Sequence, residues 1–580
     1  MTEALLRAPA GALIAVRAGT YRETLVLRRP VSISPESLDA EVVLEGSGGP
    51  CLQMRTDQAR VTGLTLRVGP GTPRPAYAVE VSQGRLTLEA CKIGSGAQAC
   101  VSLSGPLANA LFRKCELRGT GHGAVVTNKA QGTFEDCSMS GNTGAGMEIT
   151  GGARPVLLRC RIADNGRQGL VYREQAGGSA EECDISGNTW PGVAVHSASA
   201  PEFRQCRFFA GKLDGVMSSL GGRGTFTGCD IFDNRQMNVV IQSGGSPLLR
   251  DCKIRGGKAD GVRIEEGGRG TLERCDITEN QRHAVIVRTK SDATLLRCRI
   301  IGGAEDTVLF QDESTGRVEE CEIAQVQAGG HACLGAHTGA HPKVVKTRIH
   351  GGTFGFFAKG AEGTLEDCDL FENAGLGVRL EYGAIASLTL CRIYRNQSDG
   401  LVVDQKSEAT VSNCELRANG QHGAWIAQES RATFRQTTFR DQVRHGIGFT
   451  TRSTGIVEDS EIVGNSWSGI GVFEQANMVI RNCRVHGNKT DAGKGIVFYG
   501  AGGTVADTQI FENASIGLET AAGSNPSVLR CKIFDNKLTG LNVKEGGSGT
   551  YEECHVYRNA GGNVTVAVGL KPVFRACRVE

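Results

Sequence analysis

Two groups of side chains in this sequence could do acid–base chemistry. Asp260, His283 and Asp306 follow one another at intervals of 23 residues, and so do Asp399, His422 and His445. In a chain that returns to the same place every 23 residues, an Asp and a His of one column can touch. An imidazole beside a carboxylate is an acid–base pair that works near neutral pH. Arg263, Arg282 and Arg288 stand near the first group, with Glu265 and Glu305, and Asp404, Trp425 and Arg444 stand near the second. The competing reading is local. The column sits just before a recurrent Gly, where Asp and His commonly hold turns through their own hydrogen bonds. A third group, His331, Cys333, His337 and His341, puts four borderline ligands within eleven residues, a set that suits Zn²⁺. Alternation along a strand would turn His331 and Cys333 inward, as a core His and a core Cys. No other cofactor is called for.

The spacing of these groups belongs to the whole chain. The phrase Cys-x-Ile-x-x-Asn, as in Cys183-Asp184-Ile185-Ser186-Gly187-Asn188, recurs with Cys at 137, 160, 183, 206, 229, 252, 275, 298 and 321. It resumes at Cys368, Cys391 and Cys414 and continues through Thr437, Ser460, Cys483, Thr508, Cys531, Cys554 and Cys577. A fixed period of this size marks a repeat architecture whose units bury their apolar faces only against their neighbours. A unit of 23 residues is too short for two helices. It holds short alternating apolar runs, such as Gly261-Val262-Arg263-Ile264, separated by Gly, Asn, Ser and Asp. The expected fold is all-β: a single-domain right-handed parallel β-helix of about 23-residue coils. Cys and Ile would point inward, and the Asn side chains would stack at a buried corner. A Gly four residues after the Asn (Gly146, Gly169, Gly192, Gly377, Gly400) would supply a positive φ or a tight bend.

The expected organisation is one solenoid over residues 1–580. Residues 1–10 form a short helical N-terminal cap, 11–90 irregular opening coils, and 91–580 the regular coils. Two insertions disturb the period, one between Cys321 and Thr347 and one at Lys489–Lys494. The 21 cysteines do not call for disulfides. Eighteen share the inward column, about 4.8 Å apart with parallel Cβ directions, which is the wrong geometry for an S–S bond. The net charge of +2 excludes a nucleic-acid or membrane polycation. No apolar run reaches 18 residues, and Met1–Ala10 lacks the apolar core of a secretory signal, so the expected location is cytoplasmic. The residue after the Cys column alternates in charge from Arg161 to Glu415 over twelve coils. That places opposite charges side by side and reads as register control.

The run Gly19-Thr20-Tyr21-Arg22-Glu23 resembles the first coil of pectin-methylesterase-like and other sugar-active β-helix proteins. With the Cys-x-Ile-x-x-Asn-x-x-x-Gly phrase, most of the chain resembles the broad family of right-handed β-helix repeat proteins of the pectin-lyase-like fold. That family includes carbohydrate-binding and sugar-hydrolase modules. The resemblance implies the fold and leaves activity open. Polygalacturonases of this fold pair a Gly-His-Gly segment with clustered Asp residues. Gly121-His122-Gly123 is present here without them. The leading expectation is therefore a non-enzymatic scaffold presenting a long surface to a protein partner or an extended glycan. The alternative is a polysaccharide-active hydrolase, lyase or epimerase. A groove with converging carboxylates and aromatic platforms would favour the second, and a flat, charge-alternating surface the first. The last coil, ending Cys577-Arg578-Val579-Glu580, keeps the alternating pattern and suggests a second copy meeting it end to end as a homodimer.

Overall fold

The structure, a computed structural model, describes residues 1–46, 48–69, 77–95, 98–326 and 329–580. The chain is an all-β right-handed parallel solenoid of about 24 turns. It divides into two compact units, Met1–Ile286 with Lys290–Thr294, and Val287–Thr289 with Leu295–Glu580. In each unit the coils give one strand to each of three parallel sheets, called A, B and C in the order the chain visits them. In the first unit, Ser179–Glu181, Asp184–Ser186 and Val193–Val195 are the A, B and C strands of one coil. In the second, Glu408–Ser412, Glu415–Arg417 and Ala424–Ile426 play the same parts. The three-strand pattern begins at Ala12–Val16, well before the first regular Cys phrase. Residues 70–76 of that opening stretch lie outside the described residues. The N-terminal helix is Thr2–Arg7, and none of its residues is buried.

The repeated residues stack as their types require. Cys183 and Ile185 are buried, as are their counterparts in neighbouring coils. The cysteines are free thiols, all buried except the half-buried Cys577. Each thiol of the repeated column donates to the carbonyl two residues before it, as Cys183 does to Glu181 at 3.3 Å. The hydroxyls of Thr437, Ser460 and Thr508 make the same bond, to Arg435, Glu458 and Ala506. The column therefore asks for a short side chain with one donor, and a thiol is only its commonest form. The Asn side chains run as a ladder. Asn142 Nδ2 donates to Asn165 Oδ1 at 3.0 Å, and Asn165 Nδ2 to Asn188 Oδ1 at 2.9 Å. In the second unit the ladder passes through Asn373, Asn396, Asn419 and then Gln442. Each buried amide is thereby paired, where an unpaired one would cost about 1–3 kcal/mol.

One expectation about glycine is corrected. Gly146, Gly169 and Gly192 do not have positive φ. They are required by crowding. A Cβ on Gly146 would stand 2.5 Å from Ile162 Cγ2 and 2.6 Å from the Gly169 carbonyl oxygen. The positive φ lies instead on the residue before the Cys, where sheet A bends into sheet B. Arg159, Glu182 and Gln205 sit there at φ 50, 52 and 52°.

The alternating charges lie in register, Arg161 beside Asp184 and Asp184 beside Arg207. Arg207 holds Asp184 by two bonds, at 2.6 and 2.5 Å. Arg392 holds Asp369 through Nε and Nη2 in the second unit. Other members find partners on their own face: Arg161 with Asp164 at 3.7 Å and Asp230 with Arg255 at 2.8 Å. Asp184→Lys would line up three cations. It is expected to cost under about 1 kcal/mol, because the pair is exposed, and urea melts at low and high salt should show the loss shrinking with salt. An equal loss at both salts would mean that the pairing is not electrostatic.

Candidate functional site

The outer face of sheet C in the second unit is not flat. Five successive coils, from Asp399 to Tyr499, shape it into a cavity of about 660 Å³. The missing volume has a sequence cause. Trp425, Gly448 and Gly471 are register neighbours on this face. A Cβ on Gly448 would collide with the Trp425 ring, and one on Gly471 would stand 2.5 Å from the Phe473 ring. With no side chain at either position, both rings lie down across the strands. Trp467, Phe473 and Tyr499 complete an aromatic wall. Arg444 stacks over Trp467 at 4.9 Å.

The Asp399–His422–His445 column forms one edge of the cavity. Each side chain here meets the next coil. Asp399 Oδ1 accepts the His422 backbone N–H at 2.8 Å, and His422 Nδ1 accepts the His445 N–H at 3.2 Å. His445 Nδ1 lies 3.3 Å from the Ser468 carbonyl oxygen. These contacts fix the tautomers. A nitrogen that accepts an N–H carries a lone pair, so the proton of neutral His422 is on Nε2. A nitrogen that faces a carbonyl must donate, so neutral His445 keeps its proton on Nδ1 and its lone pair on Nε2. Two imidazoles, stacked at 5.2 Å, thus leave a donor and an acceptor for a ligand.

Burial holds both rings neutral. It pushes His422 down to about 3, with His445 and Arg444 adding to the shift. It pushes His445 to about 4, with the Ser468 carbonyl opposing and Arg444 and Lys494 adding. Burial also raises Asp399 above the usual carboxylate range, against the His422 N–H, which lowers it. Unfolded histidine titrates near ~6.5. The unfolded chain therefore binds protons first as pH falls, and the stabilisation present above about 6.5 is lost towards about 4. Thermal melts across that window should show this loss. It should shrink in the His422→Gln/His445→Gln double variant, and an unchanged pH slope there would refute the neutral-imidazole assignment.

The other sequence candidates are placed elsewhere. Asp260, Arg263, Arg282 and His283 lie in the first unit, and Arg288 and Asp306 in the second. Asp260 is committed to Arg263 at 2.9 and 2.5 Å and accepts the His283 N–H at 3.3 Å. Asp306 accepts the Ala332 N–H at 2.7 Å. In this trio the two carboxylates do what turn chemistry predicts, capping the next coil. Asp404 accepts the Gln405 N–H at 2.8 Å and does not line the cavity. The His–Cys segment is dispersed. Cys333 is buried against the His350 carbonyl at 3.0 Å, and burial pushes its thiol up to about 12. His331 is not the core residue expected. Its side chain is 40% exposed, 3.8 Å from Asp306. His337 packs edge-on to Phe357, and His341 pairs with Glu362 at 3.2 Å from a strand of sheet A. Among the described residues, no three His, Cys, Asp or Glu side chains converge as a metal would need.

Gln421, Thr450, Trp467, Phe473, Glu474 and Tyr499 also line the cavity and were not singled out from sequence. A signal was present for some of them. Trp467 follows Arg444 by one period, and the glycines at 448 and 471 fall where an outward side chain is due.

The chain matches the family described as right handed beta helix region over residues 99–235, 212–338, 283–439 and 423–573. No curated protein matches it. Among solved structures it is similar to the mannuronan C-5 epimerase AlgE4 A-module of Azotobacter vinelandii, with 13% identity over 56% of this chain and 89% of that one, and a TM-score of 0.39. It is similar to the periplasmic alginate epimerase AlgG, with 11% identity over 58% and 78% and a TM-score of 0.32. A mutant of the PL6 family alginate lyase AlyGC is similar at 9% identity over 99% and 98%, with a TM-score of 0.28. At these values the likeness is one of fold. The expectation of a non-enzymatic scaffold is nonetheless corrected. The face carrying His422 and His445 is not the flat surface of a scaffold but is shaped into a cavity with aromatic platforms. The matched segments span most of the sequence, and the chain belongs to the right-handed β-helix family.

Proposed function

We propose that the second unit is a polysaccharide-active enzyme that removes a proton next to the carboxylate of an acidic, extended glycan. The observation that carries this reading is the pair of neutral imidazoles of opposite tautomer beside Arg444, inside an aromatic-walled cavity. Sugar rings stack on Trp425, Trp467 and Phe473. The Arg444 guanidinium pairs with the sugar carboxylate and stabilises the negative charge that develops there as the C–H bond breaks. His445 Nε2 takes that proton, and the bonding electrons move into the carboxylate system. When they return to form a C=C bond, the glycosidic C–O bond breaks, and the imidazolium formed at His445 gives its Nε2 proton to the departing oxygen while the neutral His422 Nε2–H donates a hydrogen bond to that oxygen: a lyase. When a water molecule on the other side gives a proton to the carbon, and His445 releases its own proton to the hydroxide through solvent, the result is an epimerase.

Hydrolysis is the weaker reading. It calls for two carboxylates free to act as acid and as base or nucleophile. The two carboxylates that line the cavity are engaged, Asp399 by the His422 N–H and Glu474 by the Thr450 and Thr451 hydroxyls at 2.9 Å each. The test is incubation with mannuronan, polygalacturonate and a neutral glucan. Unsaturated or epimerised product is expected from an acidic polymer, with loss of activity in Arg444→Ala. Hydrolysis of the neutral glucan alone, or no change in any acidic polymer, would overturn the reading.

A further inference from the structure

The coil that closes the cavity is longer than its neighbours. Cys483 and Thr508 are 25 residues apart instead of 23, and the extra residues fall in the turn around Thr490–Gly493. This turn delivers Lys494 to the column that holds Asp399, His422, His445 and Ser468 on the four preceding coils. The backbone shows the register: the Gly446 N–H bonds to the Ser468 carbonyl at 3.2 Å, and the Gly469 N–H bonds to the Lys494 carbonyl at 2.9 Å.

Lys494 does not hang free there. Its Nζ donates to Glu519 Oε1 at 2.6 Å and to the Tyr499 hydroxyl at 3.1 Å, and the Tyr499 hydroxyl donates to the same Glu519 oxygen. The other oxygen, Oε2, receives Lys544 at 3.1 Å and Asn542 at 3.3 Å. The Glu519 side chain is fully buried. Burial raises its carboxyl, and the bonds from Lys494 and Tyr499 more than offset this, so it stays ionised. Tyr499 is pushed up to about 12 by burial and by Glu519, so it keeps its proton. One carboxylate between two ammonium groups leaves the cluster with a net positive charge. Lys494 spends two of its three N–H groups on this anchor, and its side chain is 18% exposed. A long flexible cation has been fixed beside Tyr499, a wall of the cavity, two coils or roughly 10 Å beyond the coil of Arg444.

We propose that Lys494 is a specificity-determining residue that pairs with a second carboxylate of the same glycan, so that the site selects runs of acidic sugars. This rests on the acidic-glycan reading above. Glu519 and Tyr499 act as its positioning residues.

The experiment measures binding and turnover of mannuronate and galacturonate tetramers by the wild type, Lys494→Met and Lys494→Arg, at several salt concentrations. Lys494→Met is expected to weaken binding of the responding tetramer about 10-fold and to flatten its salt dependence, with kcat changed less than about threefold. Lys494→Arg should recover most of the affinity. A residue that only braced Tyr499 and Glu519 would lower kcat or the melting temperature and leave the salt dependence alone. Lys494→Met that binds with wild-type affinity and salt dependence overturns this inference alone. A wild type that neither binds nor alters either tetramer overturns the reading on which it rests.

Discussion

His445→Gln is expected to lower kcat on the responding acidic glycan by about 10²–10⁴-fold, the usual contribution of a positioned general base. The substitution keeps the size of the side chain and a donor for the Ser468 carbonyl, the only bond His445 Nδ1 makes to the protein among the described residues. Stability should therefore change by no more than about 1 kcal/mol. What disappears is the Nε2 lone pair, which the backbone contact leaves to the ligand. The pH profile gives an independent check. An imidazole pushed to about 4 stays basic well below the usual histidine range, so the acid limb of the wild-type rate should fall near that value. Full activity in the folded variant would place the base elsewhere in the cavity.

The largest effect on stability is expected inside the stack. Ile254 is fully buried between Ile231 and Ile277 on sheet B. Ile254→Asp removes the apolar contacts and puts a carboxylate where it has no partner, at a cost of about 5 kcal/mol or more. Cys252→Ala, two residues away, loses weak thiol contacts, among them those to the Phe226 and Arg250 carbonyls at 3.5 and 3.3 Å. It should cost about 1 kcal/mol. Urea denaturation of the two variants side by side checks the contrast, and equal losses would mean that the two columns do not point inward as described.

The fold was legible because its signals are periodic. Cys183, Ile185 and Asn188 each repeat a physical role, and stacking makes a role visible in the spacing alone. The glycines were read correctly as necessary and wrongly as to why. Gly146 shows positive φ nowhere, and its reason, the approach of Ile162 and Gly169, exists only between coils. The site was half legible. His422, His445, Trp425 and Arg444 could be picked out as a column and its neighbours. Asp260 and Asp306 looked the same in sequence and are caps. What separates them is the environment: Arg263 engages Asp260, whereas the glycines at 448 and 471 open space next to His445. The His331–His341 segment looked like a ligand set because four residue types were close in sequence. The fold spends that closeness by sending Cys333 into the core and His341 to another sheet. Tyr499, Lys494 and Glu519 come from an out-of-period turn and two different coils, so no spacing rule could join them.

The most direct measurement is the fate of the hydrogen on the carbon next to the sugar carboxylate. A polyuronate labelled with deuterium at C5, incubated with the wild-type protein, is predicted to release the label to water, whether the product is unsaturated or epimerised. The His445→Gln variant should retain it. Shortening of the polymer with the label still in place would mean that the cavity cleaves glycosidic bonds without taking this proton, and would contradict the account.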